Sequence, residues 1–118
     1  MTNNFNNTPA RARGFRLGAG TTTVYAVSIN AGAYAQAIDL NCANVSATEA
    51  SVTVEWFRAK DNQTYRVIYQ GKIPVNEARH YNLDAFGLEP GDEIRVTPNA
   101  ADAVDAIITV LEIPGRSG

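Results

Sequence analysis

Residues 51–69 constrain what this chain can fold into more than any other stretch. Ser51-Val52-Thr53-Val54-Glu55-Trp56-Phe57-Arg58 sets Val52, Val54 and Trp56 against Thr53, Glu55 and Phe57, the two-residue period of a half-buried strand. Residues 64–70 repeat the pattern, with Tyr65, Val67 and Tyr69 on one face. Ala59-Lys60-Asp61-Asn62-Gln63 supplies turn formers between them, so the two runs are expected to fold back as a hairpin. A turn centred on Asp61-Asn62 sets Trp56 opposite Val67 and Val54 opposite Tyr69, which directs the aromatic rings inward. The reverse face then gathers Glu55, Phe57, Arg66 and Ile68, a mixed surface better suited to contact than to a dry core.

The same period recurs on either side. Residues 21–29 place Tyr25, Val27 and Ile29 on one face, and in residues 35–43 Ile38, Leu40 and Cys42 alternate with Ala37, Asp39 and Asn41. Ser46 and Glu49 have the spacing of a helix cap, but the valine alternation that follows leaves room for one turn at most. Residues 72–75 contain Pro74, which suits a sheet edge or a strand end. Residues 79–83 read as a strand with Tyr81 and Leu83 inward, the alternative being a short helix over residues 76–86. The turn Gly87-Leu88-Glu89-Pro90-Gly91-Asp92 leads into a strand at 93–97. Residues 105–113 are apolar on both sides, as in a strand buried mid-sheet or covered by a partner. Seven to eight short strands with regular turns predict an all-β, antiparallel sandwich or barrel, and 118 residues suffice for one domain with a core.

Charge divides the chain. Three of the ten basic residues and none of the twelve acids lie in the first 20 positions, so that segment carries +3 and the rest −5. Its four asparagines, Pro9, Gly14, Gly18 and Gly20 predict an extended polar arm over residues 1–20, attached to a β-sandwich domain over 21–118. Phe5, Phe15 and Leu17 are the apolar exceptions. They either pack the segment loosely on the body as a strand or anchor it on a neighbouring subunit, with Arg11, Arg13 and Arg16 attracted to acids there. Three arginines are few for a nucleic-acid tail, and the acidic body repels phosphate, so a protein surface is the expected partner.

Chemistry-bearing residues do not converge in the sequence. His80 is the sole histidine, and Asp84 lies near enough to pair with it, though a surface or structural role suits it better. Glu89, Asp92, Glu93, Asp102 and Asp105 lack the dense ligand spacing of a calcium loop and read as solvated turn acids. Gly14, Gly18 and Gly20 follow no strand and open no helix, so they form no phosphate loop. Tyr65, Tyr69 and Trp56 could stack on sugars or bases, but their inward face argues for core packing. Cys42 is the only cysteine and is expected to pack as a small hydrophobe. No enzyme activity, metal, cofactor, small-molecule substrate or membrane contact is expected. The first residues lack the apolar run of a signal peptide, which implies synthesis in the cytoplasm.

Thr22-Thr23-Val24-Tyr25, then Ile38 to Asn44 running into Val52-Thr53-Val54-Glu55-Trp56, resemble small virion proteins of tailed bacteriophages. Ile73-Pro74, Leu88-Glu89-Pro90-Gly91-Asp92-Glu93-Ile94 and Ile108-Thr109-Val110-Leu111-Glu112-Ile113 extend the likeness over residues 21–113. The resemblance implies an immunoglobulin-like or jelly-roll sandwich in a symmetric homo-oligomer, in contact with other virion structural proteins at the neck, where head meets tail, or in the tail. The arm leaves capsid decoration as an alternative. A carbohydrate- or cell-surface-binding module is the second reading.

Overall fold

The computed structural model describes residues 10–29, 33–83 and 87–113, side chains of Ala10 and Ile113 excepted. Phe5 and Asp84 lie outside the described residues. Nine strands are present: β1 (Ala10–Arg16), β2 (Thr22–Ala26), β3 (Tyr34–Asn44), β4 (Ala50–Arg58), β5 (Gln63–Ile73), β6 (Ala78–Asn82), β7 (Gly87–Leu88), β8 (Glu93–Pro98) and β9 (Val104–Ile113). The protein is all-β, with two antiparallel sheets. One runs β1-β9-β3-β6, with β7 also paired to β3; the other runs β2-β8-β4-β5.

The strand count exceeds the expected seven to eight for local reasons. Residues 10–16 form a ladder with β9, the two-residue β7 is added, and the separate run expected at 72–75 is the end of β5. Residues 78–82 are strand β6, not part of a helix.

Alternation explains the core. Ile94, Val96 and Pro98 of β8 point in, while Glu93, Arg95 and Thr97 point out. Ala50, Val52 and Val54 of β4 do the same, as do Ala106, Ile108 and Val110 of β9. A single buried cluster takes residues from both sheets, among them Leu40 and Cys42 of β3, and Phe15, Trp56, Val67, Ile68 and Tyr81 pack against it. Strand β9 lies between β1 and β3, so the apolar content of both its faces fits a mid-sheet strand.

Bulges and one early strand end rearrange the expected faces. In the hairpin, Trp56 pairs with Tyr65 and Glu55 with Arg66, because the turn centres on Lys60-Asp61 with Asn62 left-handed at φ 53°. At the far end Val52 pairs with Gly71, the register expected there; two irregularities around Val54 absorb the two-residue difference. As a result Val54 pairs with Ile68, and Ile68 packs on the core instead of joining the outer face. Tyr69 turns outward and is 59% exposed, and Tyr65 is also exposed. In β2, a register shift between Thr23 and Tyr25 lets consecutive Val24 and Tyr25 both be buried. The strand ends at Ala26, and Ile29 is exposed rather than inward.

Gly71 marks a close approach of the two sheets. A Cβ there would lie 2.7 Å from Ile68 Cγ2 and 2.9 Å from Tyr81 Oη, the latter reaching across from β6. Gly71→Ala is expected to lower stability by about 1–3 kcal/mol through overpacking. Urea titration should also show a smaller loss when Ile68→Ala is combined with it than the two single losses together, since the side chains compete for one space.

Candidate functional site

Two surfaces and two polar clusters concentrate the side chains that could do something. The first surface is β1. Its seven residues pair with β9 from Ala10↔Leu111 to Arg16↔Asp105. At one end Arg11 Nε lies 2.9 Å from Glu112 Oε1, and at the other Arg16 Nε lies 3.1 Å from Asp105 Oδ1. The acids sought on a neighbour are thus met within the chain. Such exposed pairs are worth at most about 1 kcal/mol each and chiefly set register. Phe15 packs against the core, and Leu17 is completely buried in it. Of the residues assigned to the arm, Arg11, Arg13 and Arg16 are exposed.

Glu112 also accepts a hydrogen bond from Tyr25 Oη on β2, so one carboxylate joins the two sheets and β1. Burial first, then this hydrogen bond, pushes the Tyr25 phenol well above its ordinary range. Alternation alone could not reveal a pairing over 87 positions.

The second surface is the outer side of β8, β4 and β5. Arg95 lies over the Phe57 ring with its guanidinium carbon 4.5 Å from the centroid, and its Nε contacts Glu93 Oε1 at 2.9 Å. Arg66 covers Tyr69 in the same way at 4.5 Å and approaches Glu55 at 4.0 Å. Glu55, Phe57 and Arg66 therefore do share this face. Each ring is capped by a cation that a carboxylate balances, an arrangement that keeps aromatics compatible with water.

Asp92 is the polar residue that sequence reasoning misplaced. It is 1% exposed rather than a solvated turn acid. Its Oδ1 accepts the Ala59 N–H at 2.9 Å, and its Oδ2 accepts the Glu89 N–H at 3.1 Å and the Trp56 indole N–H at 3.3 Å. The turn beneath it explains the position. Pro90 precedes Gly91 at φ 87°, and the Asp92 N–H closes the turn on Glu89 O at 2.9 Å, which is the type II pattern. A Cβ on Gly91 would also lie 2.9 Å from Ala59 Cβ. Trp56 is half-buried, held by this bond and by Tyr65, whose ring centroid is 5.7 Å away. Asn44 makes a matching cluster elsewhere: its Nδ2 donates to Thr48 O and Ile73 O at 2.8 and 2.9 Å, and its Oδ1 accepts from Ser46 N–H and Oγ–H.

The remaining titratable groups are placed simply. His80 Nδ1 lies 3.2 Å from Asp39 Oδ2 on the neighbouring strand, at the surface; the pairing considered with Asp84 falls outside the described residues. Cys42 is free and buried, and burial, then the charge of Asp39, pushes its thiol up to about 12. Among the described residues, no three His, Cys, Asp or Glu side chains gather as metal ligands. The chain matches no known protein-family model and no curated protein.

Asp92→Ala is expected to destabilise by about 3 kcal/mol or more, because it strands three donors at a buried position. Urea unfolding monitored by Trp56 fluorescence measures this, and Asp61→Ala on the exposed turn serves as a control with little effect. For Cys42, the native protein should resist a thiol reagent at pH 8 and react fully once unfolded. Its stability should also fall as pH rises from about 9.0 toward about 12, since only the unfolded chain ionises its thiol across that interval.

Proposed function

We propose that this protein is a non-enzymatic structural subunit of a tailed-bacteriophage particle, assembled in several copies at the neck or tail. The observation that carries the reading is strand order. With β7 set aside as a short addition, the chain crosses between sheets after every strand except at the β4–β5 hairpin, so that β1-β9-β3-β6 faces β2-β8-β4-β5. That is the order of an eight-stranded jelly-roll sandwich, an architecture widely used for capsid and lectin domains. Of the two sandwich types the resemblance implies, it favours the jelly roll.

The surfaces support assembly. On the outer side of the β1-containing sheet, Ile107 is 44% exposed, and Gly14 beside it leaves a shallow groove bordered by Arg16 and Asp105. No cation over an aromatic ring is found on this side among the described residues, in contrast with the opposite sheet. A neighbouring subunit or another virion protein would cover it. In decoration of the capsid surface the same face would meet the shell.

A second reading rests on a specific observation, the exposure of Tyr65 and Tyr69. Lectin-type jelly rolls bind sugars through such rings, yet here Arg66 already covers Tyr69 and Tyr65 donates its hydroxyl to Asp61 at 3.0 Å.

Light scattering on the purified chain should show an oligomer, and Ile107→Asp should reduce it to monomers. The variant's unfolding free energy should change by only about 0.5 kcal/mol, because the side chain lies on the outer face. Immunogold labelling of purified particles should then mark the neck or tail. A chain that stays monomeric and binds a soluble saccharide, with loss of binding in Tyr65→Ala, would establish the second reading instead.

A further inference from the structure

Strand β1 is one of the two edge strands of its sheet, β6 being the other. Its ladder is with β9 alone, at the sheet edge. Past it, Leu17 is inserted completely in the core, and its backbone is bonded to the first residue of β9 and to the turn before it: Leu17 N–H to Val104 O at 3.1 Å, and Asp102 N–H to Leu17 O at 3.0 Å. Then come Gly18, Ala19 and Gly20, all exposed, before β2 begins in the other sheet. At Gly18 and Gly20 nothing lies within 4 Å of where a Cβ would be. The hinge, residues 18–20, is short and open at both glycines, and Thr21 after it is tied to Thr97 by a hydroxyl pair at 2.7 Å.

We propose that residues 10–17 form an exchangeable strand, and that in the assembled form they occupy the β9 edge of a second copy instead of their own. This rests on the assembly reading above and names how its copies are joined. The occupant is specified by the slot. An arginine near each end of β1 meets an acid near each end of the slot, Arg11 with Glu112 and Arg16 with Asp105, and Leu17 fills a buried site beyond the ladder. A second copy carries that charge pattern and that leucine in the right register. Exchange keeps all seven backbone partnerships, both ion pairs and the buried leucine, so the closed and exchanged forms differ only at the hinge and in whatever new surface is covered. That near-equality makes strand exchange a low-cost route to oligomers. A three-residue hinge that must turn back between two sheets favours the opened, extended form, in which the turn is no longer required.

The proposal reconciles the two readings open for this segment, a strand on the body and an arm on a neighbour. Both describe the same ladder, made within one chain or between two.

Ala12 and Thr109 are direct partners on the outer face, so their replacement by cysteine reports which chain supplies the strand. Cross-strand partners are close enough for a disulfide. The variant Ala12→Cys/Thr109→Cys, with Cys42→Ala to remove the native thiol, is isolated as the oligomer, mildly oxidised and run on a denaturing gel without reductant. Covalent dimers and higher species are expected. If all oxidised chains ran as monomers while light scattering still showed the oligomer, exchange would be overturned and the assembly reading would stand. A full chain that remained monomeric at every concentration would overturn both. A second variant is independent of the cysteines: a Gly-Ser-Gly-Ser insertion after Ala19 lengthens the hinge, so that the strand turns back onto its own chain more readily. It should shift the oligomer toward folded monomers, and an unchanged oligomer size with the lengthened hinge would count against exchange.

Discussion

The buried carboxylate of Asp92 is the interaction on which one end of this fold depends. A polar side chain inside a protein is costly unless its oxygens are taken up, and here three N–H donors from three places do so. The β4–β5 turn supplies Ala59, the turn before β8 supplies Glu89, and β4 supplies the indole of Trp56. The backbone of the same residue accepts the Val27 N–H at 2.9 Å, which brings in the end of β2. Removing any one segment would leave an oxygen or a donor without a partner, so the segments hold one another in place. Asn44 performs the same task where β3, β5 and the β3–β4 connection meet. Strand β4, whose inward residues are at the centre of its sheet, runs between these two fixed points.

Holding the ends allows the two outer faces to differ. On the β4 side, arginines 66 and 95 lie over aromatic rings and are balanced by glutamates, so the face is polar without wasting its apolar bulk. On the β9 side the centre is Ile107, flanked by a glycine and without such a cover. The first arrangement is at ease in water; the second gains by being covered. This asymmetry, together with an edge strand secured by charge pairs at its ends, is what suits the molecule to assembly as proposed.

Much of the architecture was legible in the sequence because a strand's faces follow from a period of two, and inward and outward residues must differ in polarity when one side is dry. Residues 51–58 and 93–97 show this plainly: Val52, Val54, Ile94 and Val96 are buried and their neighbours are not. The same rule misassigned Ile68 and Tyr69, because it assumes an unbroken pleat, and Ile29, because β2 ends at Ala26 before reaching it. Each bulge inserts one residue, and a one-residue slip moves everything beyond it to the other face. Nothing in the composition of residues 64–70 announces where that slip falls.

The sequence by itself determined that the chain is all-β, that Cys42 packs inside, and that basic charge collects before residue 20. Those properties depend on local alternation and on composition, which a linear reading contains. Only the tertiary structure decided the order of the strands, the burial of Asp92, the bridge from Tyr25 to Glu112, and the pairing of Arg11 and Arg16 with acids of their own chain. Each depends on groups tens of residues apart meeting at hydrogen-bond distance. A charged residue in a turn is exposed by default and becomes internal only when other segments close over it and satisfy its oxygens, a condition that exists in three dimensions alone.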